Sequence, residues 1–186
     1  MEEKNIVNLL WERDSRALTE MSEKYGKLLY TVANNILHSH QDSEEAVNDT
    51  NLGAWNAIPP QKPERLSSFL CKITRNLSLK KWREKSAEKR GGGNAAEVLS
   101  ELSECIPAPK TIDDEIETKE LARVISAFLH SLKKDESAVF VCRYFYLYSV
   151  AEISQKFGFS ESRVKTGLMR TRNKLLAHLE KEGIEL

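Results

Sequence analysis

Very little in this chain points to redox, membrane or catalytic chemistry. Only three of its 186 residues are cysteines (Cys71, Cys105 and Cys142), and no Cys-x-x-Cys pair occurs. An odd number at wide spacing suggests reduced thiols in a cytosolic protein rather than a disulfide framework. No apolar run approaches the roughly 20 residues a membrane span needs. The opening MEEKNIVNLLWERD has no basic leader followed by a long apolar segment, so a soluble, cytoplasmic protein is expected. Strand-like alternation is short and the hairpin pair Asn-Gly is absent, which leaves β-structure without support. The run GGGN (Gly91–Asn94) lacks the lysine and hydroxyl of a phosphate-cradling loop. Serine, histidine and acidic residues are scattered without a nucleophile motif. His38 and His40 flank Ser39 with no third metal ligand nearby. Cys105 has acidic neighbours, which raise a thiol's pKa and discourage reactivity. No catalytic activity, cofactor or metal is expected.

Net charge is also absent, since 28 basic residues balance 28 acidic ones. The balance conceals segregation. Ser67–Gly93 holds eight basic and two acidic residues, a net +6. Lys156–Lys181 holds seven and two, a net +5. Between them, Asn94–Ala122 has eight acidic and two basic residues, a net −6. Asp42–Trp55 has four acidic residues and no basic one. Two cationic blocks, each beside an acidic segment, suit a protein that meets both nucleic acid and a basic protein surface.

What the chain does have is helical rhythm. Leu18, Met21, Tyr25, Leu28, Leu29, Val32, Ile36 and Leu37 follow the three-and-four spacing of a buried stripe. Asp42 and Glu45 resemble a capping box opening a helix to about Ala57. Pro59, Pro60 and Pro63 force a loop. A second strong helix follows from Ser67 to about Arg83, with Phe69, Leu70, Ile73, Leu77 and Trp82 as apolar contacts. GGGNAAEVLSELSECIPAPKTIDDE reads as an acidic linker containing at most one weak helical turn. Beyond it Leu121, Val124, Ile125, Phe128, Leu129 and Leu132 form another stripe, and an aromatic-rich helix is expected from about Asp135 to Leu147. The expected architecture is all-α: a first helical domain over residues 1–90, a flexible acidic linker over 91–114 and a second helical domain over 115–186.

The stretch SVAEISQKFGFSESRVKTGLMRTRNKL carries the most specific pattern. Ser149 and Glu152 form a capping box, with Ala151, Ile153 and Phe157 expected to pack inward. Gly158 stands where a helix ends and left-handed backbone is easiest. Ser160 offers an N-cap and Glu161 favours the first turn. Val164, Leu168 and Leu175 then face inward. Helix, glycine turn, helix is the helix-turn-helix arrangement. Ser162, Arg163, Lys165, Thr166, Met169, Arg170 and Asn173 are left facing out, where such a helix meets the major groove. Arg172 and Lys174 are placed to touch the phosphate backbone.

In the first half, Lys72, Arg75, Asn76, Lys80 and Arg83 recur at helical spacing and give a polar, basic face. Trp82 lies among them and Trp55 precedes the proline loop; aromatic rings beside cations are how proteins hold unstacked bases. Glu44, Glu45, Asn48 and Asp49 make an acidic face that repels DNA and suits a basic protein surface.

In that order, QDSEEAVNDTNLGAWNAI, SSFLCKITRNLSLKKWR and the helix-turn-helix stretch resemble the bacterial RNA polymerase sigma factors of the sigma-70 family, extracytoplasmic-function group. The resemblance implies that residues 1–90 are a region 2 domain and residues 115–186 a region 4 domain. It implies that Glu45, Asn48, Asp49 and Leu52 dock on the clamp helices of core polymerase, with the flap a further contact of the factor. Lys72, Arg75, Asn76, Lys80 and Arg83 would bind and help melt the −10 element. Ser162, Arg163, Lys165, Thr166, Arg170 and Arg172 would engage the −35 element. Such factors are commonly held inactive by an anti-sigma protein, so the implied partners are core polymerase, promoter DNA and an anti-sigma factor, without membrane insertion.

Two features depart from the family's pattern. Gly167 stands where a basic residue is frequent, and PPQKPERLS replaces the usual loop before the −10 helix. The competing reading is an autonomous helix-turn-helix regulator acting on an operator without polymerase. Such regulators pair half-sites by two-fold symmetry, and no heptad zipper or ligand pocket is evident here.

Overall fold

The computed structural model describes residues 1–86, 94–103, 105–106 and 115–184. Among these residues every regular element is a helix, and the chain divides into two compact units, Met1–Gly93 and Asn94–Leu186.

The first unit is built from α1 (Glu3–Trp11), α2 (Arg16–Leu37), α3 (His40–Ala57) and α4 (Leu66–Ser86). The expected stripe of α2 is its buried face: Met21, Tyr25, Leu29, Val32 and Ile36 are enclosed, with Leu18, Leu28 and Leu37 at its margins. α2 packs on both α3 and α4, which also pack on each other. The expected box at Asp42 and Glu45 is not the start of α3. The chain leaves α2 through His38, whose φ of 49° is left-handed, and Ser39 caps α3 by accepting from Asp42 N. The helix therefore begins earlier, because a hydroxyl just after the left-handed residue satisfies its open amides.

α3 brings only small and polar groups to its buried side, and on α4 the expected Leu70 is buried together with polar groups that apolar spacing does not mark. On α3 the buried residues are Ser43, Ala46, Thr50 and Ala54. On α4 they are Leu66, Leu70, Cys71, Thr74, Ser78 and Leu79, while Phe69, Ile73, Leu77 and Trp82 are half-buried. Thr50 Oγ1 and Thr74 Oγ1 share a 2.9 Å hydrogen bond in the seam, and whichever hydroxyl accepts it donates its own proton within its helix, Thr50 to Ala46 O or Thr74 to Leu70 O. The Ile73 side chain fills the space left at Gly53, where a Cβ would stand 3.3 Å from Ile73 Cγ2. α1, which sequence rhythm does not mark, buries Ile6, Val7 and Leu10 against α2.

The second unit contains α5 (Asn94–Ser103), α6 (Glu115–Ser131), α7 (Lys134–Tyr144), α8 (Val150–Phe157) and α9 (Glu161–Lys181). α9 is its axis and contacts α6, α7 and α8. Val164, Leu168, Thr171, Leu175 and Leu179 are its buried line. α7 ends at Tyr144, earlier than expected; Leu147, at a left-handed φ of 55°, is fully buried in the connection to α8. Ala151 is exposed rather than inward, so Ile153 alone on α8 is fully enclosed and Phe157 is partly covered.

α5 is longer than the single turn expected in its stretch. Ala95, Val98 and Cys105 are buried, and α5 lies on α7. Its acidic side meets the best-buried cation among the described residues. Arg143 is 1% exposed, and its guanidinium donates to Glu101 Oε1 at 2.7 Å and to the carbonyl of Tyr148 at 3.2 Å. Glu97 lies 3.0 Å from the same guanidinium. Removing one partner from such a buried pair typically costs about 3–5 kcal/mol, because a charge is left without compensation.

Candidate nucleic-acid interface

Local chemistry sets the helix-turn-helix corner. Ser149 Oγ accepts from Glu152 N at 3.2 Å, and Ser149 N donates back to the Glu152 carboxylate at 2.7 Å, a complete capping box. α8 ends at Gly158, with φ 67° and ψ 28°, whose N–H donates to Ser154 O. Ser160 Oγ then accepts from Arg163 N at 3.3 Å and opens α9. The corner is exposed: Gly158 and Ser160 both face solvent.

Ser162, Arg163, Lys165 and Arg170 are exposed on α9, and Thr166 is half-buried beside them. Met169, 49% exposed, continues the same outer face. Arg163 is held in place: its guanidinium lies 3.8 Å from the centroid of the Phe159 ring, itself stacked on Phe157. Gly167 opens a groove of about 480 Å³ between α7 and α9, edged by Asp135 and Glu136 as well as by Arg163 and Arg170.

Arg172, expected at the phosphate backbone, already has partners within its own unit. It is 18% exposed, and its Nη1 donates to Glu101 Oε2 at 3.1 Å and to Tyr144 Oη at 2.7 Å. Tyr144 Oη donates to the same Glu101 oxygen at 2.7 Å. Burial alone would raise the Glu101 carboxyl, but the hydrogen bonds from Arg143 and Tyr144 and both guanidinium charges outweigh it and hold the group below its ordinary value. Burial pushes the Tyr144 hydroxyl up, reinforced by Glu101. Lys174 is likewise engaged, 3.0 Å from Glu136.

In the first unit, Lys72, Asn76, Lys80 and Arg83 line α4, and Arg75 is half-buried among them. Burial, with the nearby charge of Arg83, pulls the Arg75 pKa down. Trp55 is partly covered by the Arg13 guanidinium, 5.4 Å from its ring centroid, and Arg13 also donates to the Trp55 carbonyl. On α3, Glu45, Asn48, Asp49 and Leu52 lie on the outer side, with Leu52 exposed by 58%. Glu45 is not free: Lys81 of α4 reaches both its carboxylate and that of Asp42, and Lys85 lies 2.6 Å from Asp42. Asp49 makes no ion pair among the described residues, so its charge and the bare Leu52 surface are the available part of this face. Among the described residues no helix is long and apolar enough to cross a membrane.

One helical unit with paired acidic and basic faces, and another ending in a helix-turn-helix, define a DNA-binding protein of modular type. Residues 21–88 match the family model of sigma-70 region 2, and residues 122–175 match that of sigma-70 region 4. The two matches together take in more than half of the chain, which belongs to the sigma-70 family of RNA polymerase sigma factors. No curated protein matches it. Among solved structures, CnrH in complex with the cytosolic domain of CnrY is similar at 20% identity and a TM-score of 0.44, with 96% of this chain and 97% of that chain covered.

Proposed function

We propose that this chain is a sigma factor of the extracytoplasmic-function group, which directs core polymerase to a specific set of promoters and helps open their −10 element. The observation that carries the reading is the division of labour between two separately folded units. Exposed carboxylate and leucine surface on α3 stands beside a basic face on α4, and a second basic face lies on α9. In this reading Asn48, Asp49 and Leu52, with Glu45 behind them, meet the clamp helices of the polymerase. Lys72, Asn76, Lys80 and Arg83 follow the −10 strand, with Arg75 supporting them from its half-buried position. Ser162, Arg163, Lys165, Thr166 and Arg170 read the −35 element, Arg163 or Lys165 being suited to guanine. A partner that silences the factor, an anti-sigma protein, would cover one of these faces.

Run-off transcription with core polymerase on a promoter library tests this. New start sites that depend on the protein are expected. Asp49→Lys should abolish holoenzyme assembly while leaving the fold intact. Arg163→Ala or Lys165→Ala should weaken −35 recognition by about 1–3 kcal/mol where that side chain reads a base. Tight operator binding without polymerase, and no new start sites, would overturn the reading in favour of an autonomous regulator.

A further inference from the structure

The acidic helix α5 is not needed to make a helix-turn-helix, yet it is built onto one. Its Ala95 and Val98 are buried in the second unit, and its Glu101 joins α7 to α9 through Arg143, Tyr144 and Arg172. Arg143 cannot serve DNA, because it is 1% exposed. Arg172 is different. It lies two residues beyond the exposed Arg170, on the flank of α9 that also carries the exposed Lys165 about two turns earlier. Its guanidinium is a cation near the expected interface, with its charge already met by a carboxylate at 3.1 Å.

We propose that Glu101 is an intramolecular competitor for DNA phosphate: α5 latches onto the second unit and withholds Arg172 from the promoter. The competition is of like with like. A carboxylate and a phosphate oxygen both accept charge-assisted hydrogen bonds from a guanidinium, and one guanidinium nitrogen already serving Glu101 and Tyr144 is oriented away from a second anion. The rest of the basic face, Arg163, Lys165 and Arg170, has no carboxylate partner among the described residues and stays available. Affinity of α9 for DNA is therefore set one phosphate interaction below what its arginines could supply. This inference rests on the reading of α9 as the −35 helix.

The test uses holoenzyme assembled from the full chain and core polymerase, binding a promoter fragment chosen by run-off transcription, over a series of salt concentrations. Glu101→Gln keeps the shape and an acceptor oxygen but removes the charge. It should tighten binding about three-fold at moderate salt and steepen the log–log salt slope by about 0.9, the signature of one added phosphate interaction. Adding Arg172→Gln to that variant should return both quantities to the parental values. Unchanged affinity and slope in a folded Glu101→Gln protein, as judged by far-UV circular dichroism, overturn the proposal. Where Glu101→Gln does not fold, Arg172→Gln alone decides: a slope equal to the parent's supports the latch, and a slope shallower by a full phosphate overturns it, since Arg172 would then already be on DNA. Arg163→Ala is run alongside. If it has no effect on promoter binding, the reading of α9 fails, whatever Glu101 does.

Discussion

Glu3, in the first turn of α1, accepts a 2.7 Å hydrogen bond from the backbone N–H of Ser67, 64 residues away in the first turn of α4. The same carboxylate oxygen accepts from the Tyr25 hydroxyl at 3.2 Å. Burial first, and then the charge of Glu3, push the Tyr25 hydroxyl up to about 12. One side chain thus ties α1, α2 and the open end of α4 together. It satisfies an amide that α4 cannot satisfy for itself and places negative charge at the positive end of the helix.

Glu3→Ala should therefore cost about 1–2 kcal/mol, the loss of a helix cap plus one hydrogen bond. The measurement is convenient because Trp11, Trp55 and Trp82 all lie in the first unit. Urea unfolding followed by tryptophan fluorescence reports that unit, and its midpoint should fall while the slope stays fixed.

Asp42 supplies a pH dependence. Hydrogen bonds from Lys85, then from Ser39, hold its carboxyl far below the ordinary value of 3.8, with Lys81 adding to the effect against the opposing influence of burial. A carboxyl depressed by folding contributes stability that is complete above its unfolded value and is lost as pH falls through the folded one. Asp42→Asn should thus lower stability at neutral pH by about 1 kcal/mol after allowing for solvent screening of the surface lysines. The gap between variant and parent should stay constant down to about pH 4 and narrow below it as the parental carboxyl takes up its proton. A gap that persists unchanged into strong acid would show that Asp42 acts by packing, not by charge.

How much of this is legible in the sequence depends on how local the determining interactions are. The stripe of α2, the Ser149 capping box and the Gly158 corner are set by residues within a turn or two of each other, and periodicity and cap chemistry suffice to find them. α5 is signalled by Ala95, Val98, Leu102 and Cys105 at spacings of three, four and three, but glycine, proline and acidic neighbours outweigh that short run. Its partners make it harder still: Glu101 finds Arg143 and Arg172 at separations of 42 and 71 residues. For the same reason Arg172 reads as a phosphate contact, since helical spacing places it near the basic face and says nothing of a carboxylate arriving from another helix. The inner face of α4 is legible in part: apolar spacing finds the buried Leu70, but the Thr50–Thr74 hydrogen bond in the seam with α3 joins residues 24 apart and leaves no local signal. The outward residues on α3 and α9 are easier, because exposure follows from lying opposite the buried line.

Gly167 sits in the middle of α9, where glycine is a poor helix former. A Cβ there meets nothing within 4 Å. Gly167→Ala should stabilise the second unit by about 1 kcal/mol, the helix-propensity difference between the two residues. Far-UV circular dichroism on the full chain should show this as a later second-unit transition, with the tryptophan-detected transition of the first unit unmoved. An unchanged or lower stability would show that intrinsic helix propensity does not govern α9 at Gly167.

Gly158 gives the opposite sign for the same substitution. It too has open space around its missing side chain, but its φ of 67° lies in the left-handed region that a Cβ disfavours. Gly158→Ala should destabilise the second unit by about 1–2 kcal/mol, entirely through backbone strain. Gly158→Asn should cost less, because asparagine visits that region more readily. Since the strain falls on the corner and not on the reading face, each variant held well below its melting temperature should bind the promoter as holoenzyme with unchanged sequence preference. An alanine variant that stays fully folded yet loses −35 discrimination would instead show that the corner itself sets the angle at which α9 enters the groove.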